Sequence, residues 1–183
     1  MLAAGIFLSC QTSGSGAPKQ SIVSVPDLGF SYTPPAAMID KTSPASMQSR
    51  SHAASYSGRA TQLLLDMSSG EIDTAPDWHH VWIFMIPRAQ YSNLSDSVAE
   101  GKINTALAGP RASPVGQPQS AVLAGQSFSV SEFEQKEPPL VKHAKIFTTI
   151  CKTQLVSFVL VSNSEHQVRA MEESLKTLDF SSH

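Results

Sequence analysis

The side chains best equipped for chemistry gather between residues 73 and 91. Trp78-His79-His80 is followed by Trp82, with Asp73 and Asp77 just upstream and Tyr91 downstream. Imidazoles and carboxylates this close together raise transition-metal binding as one reading. On a strand, however, successive side chains point to opposite faces, so His79 and His80 do not easily share one ion. A third ligand would have to arrive through folding, from His143 or His52. No metal site is therefore assigned. The rings offer a second reading. Trp78 and Trp82 are an even number of residues apart and share a strand face. With His79 and Tyr91 they form a candidate patch for a ligand or partner, since aromatics are enriched at interfaces. Core packing competes for the same rings.

The remaining nucleophiles carry weaker signals. Cys151 stands beside Lys152, whose charge would lower the thiol pKa, but a buried structural cysteine fits its place at a strand end equally well. Ser57-Gly58 and Ser69-Gly70 lie outside any G-x-S-x-G elbow. No CxxC motif, zinc spacing or cofactor fingerprint occurs, so no catalytic residue and no cofactor are assigned and a non-enzyme is expected. Glu172-Glu173 reads as the solvated face of a helix.

Cys10 supplies an address instead. Residues 1–10 form an uncharged apolar run that is too short to span a bilayer, which needs about 20 apolar residues. It fits the hydrophobic part of a secretory signal. Phe7-Leu8-Ser9-Cys10 resembles a bacterial lipobox, with Phe7 where leucine is usual. The resemblance implies a diacylglyceryl thioether on Cys10, a lipid membrane as partner, and a periplasmic or cell-exterior location. No basic residue precedes the run, which places the expected start upstream of Met1. Residues 11–26 are rich in Gly and Ser and read as a flexible tether. Residues 27–181 read as one domain.

Composition narrows the partners. The 183 residues are 41% apolar, which suits a globular domain, but only 15% charged, against roughly 25% in an ordinary protein. Net charge is −2. Phosphate-backbone binding needs clustered Lys and Arg. The nearest approach is Lys136, then Lys142, His143 and Lys145, so no nucleic-acid partner is expected.

Periodicity supplies the elements that position these residues. Leu28, Phe30 and Tyr32 alternate along a half-buried strand over 28–33, stopped by Pro34-Pro35. Ser43-Pro44 starts a weakly amphipathic helix over 44–56. Residues 61–67 and 81–86 are apolar runs of strand length, the second central to a sheet. Residues 95–108 form a helix with Ser97 and Glu100 as a capping box and Gly109-Pro110 as its stop. Residues 111–119 read as a loop. Strands follow over 126–134, 141–150 and 154–161, the last two joined as a hairpin. A helix over 164–178 carries Val168, Met171, Leu175 and Leu178 on one face and pairs Ser164 with Gln167 in a second capping box. Strands and helices do not alternate throughout, so an α+β fold with an antiparallel sheet is expected.

The opening Leu28-Gly-Phe-Ser-Tyr-Thr-Pro-Pro35 strand and the closing Met171-Glu-Glu-Ser-Leu-Lys-Thr-Leu-Asp-Phe180 helix resemble the PsbP/Mog1-like superfamily. The resemblance spans residues 28–180. It implies an α/β/α sandwich around a central antiparallel sheet, and it brings no common catalytic set. It favours a membrane-tethered, non-catalytic binding or accessory module of the bacterial cell envelope, with another envelope protein as partner. The alternative is an exported binder of a small ligand or metal that uses Trp78, His79, His80 and Trp82. Convergence of those side chains in one pocket discriminates the two. An enzyme would show a deep pocket with perturbed titratable groups.

Overall fold

The computed structural model describes residues 22–45 and 61–180. Cys10, His52 and most of the expected 44–56 helix lie outside the described residues, although Pro44 and Ala45 are helical. Ten strands and two helices are described. In chain order they are β1 (Val23–Val25), β2 (Phe30–Tyr32), β3 (Ile39–Asp40), β4 (Gln62–Ser68), β5 (His79–Pro87), α1 (Asp96–Ala108), β6 (Ser113–Pro114), β7 (Gln119–Leu123), β8 (Gln126–Glu137), β9 (Leu140–Cys151), β10 (Gln154–Ser162) and α2 (Glu165–Ser174). Eight strands make one antiparallel sheet in the order β3-β4-β5-β10-β9-β8-β6, with β7 also paired to β8.

The α+β architecture matches the sequence expectation, and the sheet separates two cores. On one face, Phe158 of β10 meets Phe30, Tyr32 and Phe128 at ring-centroid distances of 5.8, 5.8 and 6.2 Å. Val168 and Met171 of α2, with Leu175 just beyond it, complete that layer. On the other face, Ala99 and Ile103 of α1 pack on Leu63, Phe84, Ile146, Leu155 and Val159. Side chains of β10 divide by parity: Leu155 and Val159 face α1, while Val156, Phe158 and Leu160 face α2. A run buried on both faces reads as continuously apolar for this reason.

Several boundaries differ from the sequence reading. Val23 and Val25 are buried in β1, which pairs with β2, so folded structure reaches into the stretch expected as tether. Leu28 lies in a 3-10 turn rather than in the strand. Residues 113–114 and 119–123, read as loop or unassigned, are strands paired to β8. The closing helix ends at Ser174 and continues as a 3-10 turn over Leu175–Thr177. Ser95 and Ser164 are the N-caps, and neither makes a side-chain capping bond. Arg88 organises the approach to α1 instead. Its guanidinium donates to the Tyr91 and Leu94 carbonyls at 2.6 and 2.7 Å and to Asp96 Oδ1 at 2.7 Å. Gly109 ends α1 at φ +87°, a conformation in which a Cβ would be strained.

Candidate functional site

The site is built where β4 and β5 run side by side beyond the end of α1. β4 carries a bulge between Leu63 and Leu65, which lets Leu64 and Leu65 both enter the α2-side core. A bulge re-aims every side chain that follows it. Leu63 before the bulge and Asp66 after it therefore point to the same, α1-side face. Asp66 pairs with Trp82 and Ser68 with His80 across the two strands. On β5 the alternation is regular, so His80, Trp82 and Phe84 share that face, and Trp78 just before the strand joins them.

The result is an aromatic row, stacked between His80 and Trp82 and tilted between Trp78 and His80. Trp78 and His80 lie 5.4 Å apart between ring centroids, and His80 and Trp82 lie 4.2 Å apart with planes inclined by 27°. The His80 Nε2–H donates to Asp66 Oδ1, and both residues are buried. Ser68 stands opposite His80, but its hydroxyl donates to the Gly70 carbonyl at 2.7 Å. Serine, histidine and carboxylate are therefore neighbours here without the hydroxyl-to-imidazole bond that a nucleophilic relay requires.

This row is the floor of an open groove of about 520 Å³. That volume lies within the roughly 300–1,000 Å³ of small-molecule sites. Val159 and Val161 of β10, Ala144 of β9 and Phe133 of β8 extend the apolar floor, and the last turn of α1 closes one side with Leu107 and Ala108. The opposite wall is the 69–78 loop. Asn163 pins it, donating from Nδ2 to the carbonyls of Asp73 and Ala75, both at 2.7 Å. Ser162 Oγ donates to the Trp78 carbonyl at 2.8 Å.

Charged residues line the rim in opposed pairs. Lys41 meets Glu71 at 3.1 Å. Lys142 meets Asp73 at 3.0 Å and Glu137 at 3.3 Å, and Arg111 reaches Glu137 at 3.1 Å. The Lys142 ammonium also lies 5.6 Å from the Trp78 ring centroid. Burial alone would pull Lys142 down, but its bonds to Asp73 and Glu137 outweigh burial and leave its pKa raised. The same hydrogen bond and charge from Lys142 hold Glu137 below the usual carboxylate range.

The structure separates the residues singled out in the sequence. Trp78 and Trp82 share the groove, although Trp78 stands one residue before β5. His80, not His79, lies between them; His79 points to the other face and its ring Nδ1 bonds to the Asp77 carbonyl at 2.8 Å. Tyr91 is not part of the patch. It is buried at the far end of β5 among Phe84, Ile86 and Ala99. His143 pairs with Glu134 at 3.6 Å and supplies no third metal ligand to His80. Among the described residues, no group of three or more His, Cys, Asp or Glu side chains could hold a metal ion. Lys142 and Lys145 fall on opposite faces of the sheet and are each bound by two carboxylates. Cys151 is buried, and burial pushes its thiol up to about 11 against the opposing pull of Lys152. Asp66 and Ser68 escaped the sequence reading, because their facing depends on the bulge.

No protein-family model and no curated protein matches the sequence. Solved structures do match the fold. The crystal structure of LpqN, involved in cell envelope biogenesis of Mycobacterium tuberculosis, superimposes with a TM-score of 0.51 at 7% identity, covering 82% of both chains. The solution structure of cyanobacterial PsbP (CyanoP) from Synechocystis sp. PCC 6803 gives a TM-score of 0.52 at 16% identity, covering 92% of this chain and 96% of the other. Among the described residues no helix is long and apolar enough to cross a membrane. The chain has the PsbP-like fold that its opening strand and closing helix resemble.

Proposed function

We propose that this protein is a membrane-tethered, non-catalytic binding module of the bacterial cell envelope, held by a lipid on Cys10 and binding through the groove over Trp78, His80 and Trp82. The observation that carries this reading is the groove itself. It has an apolar aromatic floor, a charged rim and a wall pinned by Asn163. Its volume falls within the range of small-molecule sites. The commitment of the Ser68 hydroxyl to Gly70 supports binding rather than acyl transfer. The lipobox-like Phe7-Leu8-Ser9-Cys10 supports the anchor. The envelope role of the similarly folded LpqN supports the location.

Native mass spectrometry of the protein released from its own membrane fraction tests the proposal. The expected species begins at Cys10, carries acyl mass and retains a non-covalent adduct that Trp82→Ala loses. An unprocessed chain in the soluble fraction, free of adduct, overturns it.

A further inference from the structure

The groove's chemistry narrows its ligand, on the reading above that the groove is the binding surface. We propose that it takes a neutral, polyhydroxylated ring ligand, a short saccharide. Among the described residues, three cations, Lys41, Arg111 and Lys142, and three carboxylates, Glu71, Asp73 and Glu137, line it. Their charges cancel, and contacts of 3.0–3.3 Å join them into pairs. An anionic ligand would have to displace carboxylates from Lys142 and Arg111. A cationic one would have to displace the lysines. A hydroxyl both donates and accepts, so it can bond to a carboxylate and an ammonium in the same pair and leave the pair intact.

The floor makes the complementary demand. An aromatic ring offers a flat apolar surface with a negative face, which suits the C–H faces of a sugar ring. Trp82 is only partly buried and lines the groove, and one face of its ring stacks on His80 at 4.2 Å. A lone acyl chain fits less well. Its affinity comes from apolar area removed from water, and nine of the eighteen lining residues are polar or charged.

The chain has two tryptophans, and both line this groove. Intrinsic tryptophan fluorescence of the purified full chain therefore reports on the groove alone. Cellobiose, maltose and N,N′-diacetylchitobiose are the saccharide probes, with decanoate, choline and inorganic phosphate as contrasts. The expected result is a saturable emission change with at least one disaccharide and none with the contrasts. The apparent Kd should weaken about tenfold, or about 1.4 kcal/mol, in Glu137→Gln. It should stay unchanged in Glu172→Gln, whose ion pair with Lys145 lies on the other face of the sheet. Trp82→Phe keeps Trp78 as a reporter and should weaken binding as well. No saturable response to any of the three sugars up to about 50 mM, far beyond the ~1 mM that corresponds to about 4 kcal/mol, overturns the saccharide class. Saturation by decanoate, choline or phosphate instead also overturns it while leaving the groove a binding site. Absence of the acylated, adduct-bearing species in native mass spectrometry is a separate failure that strikes the tethered module itself.

Discussion

At the scale of single residues, the Asp66–His80 pair decides whether the groove has a floor. Both side chains are at most 3% exposed, and the imidazole is held between two tryptophans. Removing one member of a buried polar pair strands the other in a medium that solvates it poorly. His80→Ala should therefore cost about 3–5 kcal/mol, measured by urea unfolding. His80→Phe should recover part of the stacking but not the bond to Asp66. Glu100 makes a different prediction. Burial pushes its carboxyl up from 4.5 to about 7, with Asp96 adding to the rise and Arg88 opposing it. Between those two values the folded state binds more protons than the unfolded one. Stability from this group therefore falls as pH rises through that window, and it is fully present below the unfolded value. Glu100→Gln keeps the side chain neutral. It should flatten the slope and raise Tm relative to wild type at about pH 8, with little difference at about pH 4. Of these residues the Trp78/Trp82 pairing was legible, because period-two alternation is local. Asp66 was not, because one extra residue in β4 reverses the facing of everything after it.

At the scale of elements, α1 is fastened to the sheet by polar as well as apolar contacts. Asn104 is fully buried. Its Nδ2 donates to Ser131 Oγ at 3.0 Å, and its Oδ1 accepts from Thr148 Oγ1 at 2.6 Å. Thr148 and Ser157 then share a hydrogen bond of 2.7 Å. Such a network is worth having only when every member is satisfied. Asn104→Ala should cost about 2 kcal/mol in urea unfolding, and a double cycle with Thr148→Val should be non-additive. The long elements were legible in the sequence because α2 buries one apolar face and β10 is a continuous apolar run buried on both faces. The β7–β8 hairpin was not. Its turn is Ala124-Gly125, with both residues at positive φ, where Asn-Gly would have been the usual signal. The capping boxes failed for a related reason. Arg88 reaches the start of α1 from a preceding turn, a contact that no local motif announces.

At the scale of the whole molecule, the two faces of the sheet are finished differently. The α2 face is closed by the β1–β2 ribbon, which also clasps the chain's other end. Ser31 and Asp179 exchange backbone hydrogen bonds at 2.9 and 3.0 Å, and the Tyr32 and Ser174 hydroxyls meet at 2.7 Å. Among the described residues, α1 covers the opposite face only as far as Gly109, short of the β5 start, and the groove lies beyond that end. Apolar patterning could not reveal this, since it says which residues are buried but not where a helix ends over a sheet. The ribbon carries the remaining prediction. The Gly- and Ser-rich composition before residue 27 reads as dispensable tether, yet Val23 and Val25 are 7% and 2% exposed in the core beside Phe30. Burying a valine contributes about 1.5–3 kcal/mol. A chain shortened to begin at Asp27 should thus lose about 3 kcal/mol or more and melt well below one that begins at Gln20. Cys10→Ala, which would remove only the proposed anchor, should leave Tm where it was. Calorimetry of the two shortened chains, Cys10→Ala and the unmutated chain checks both statements. Equal melting of the two shortened chains would mean that the ribbon contributes nothing and that the folded domain begins after β1.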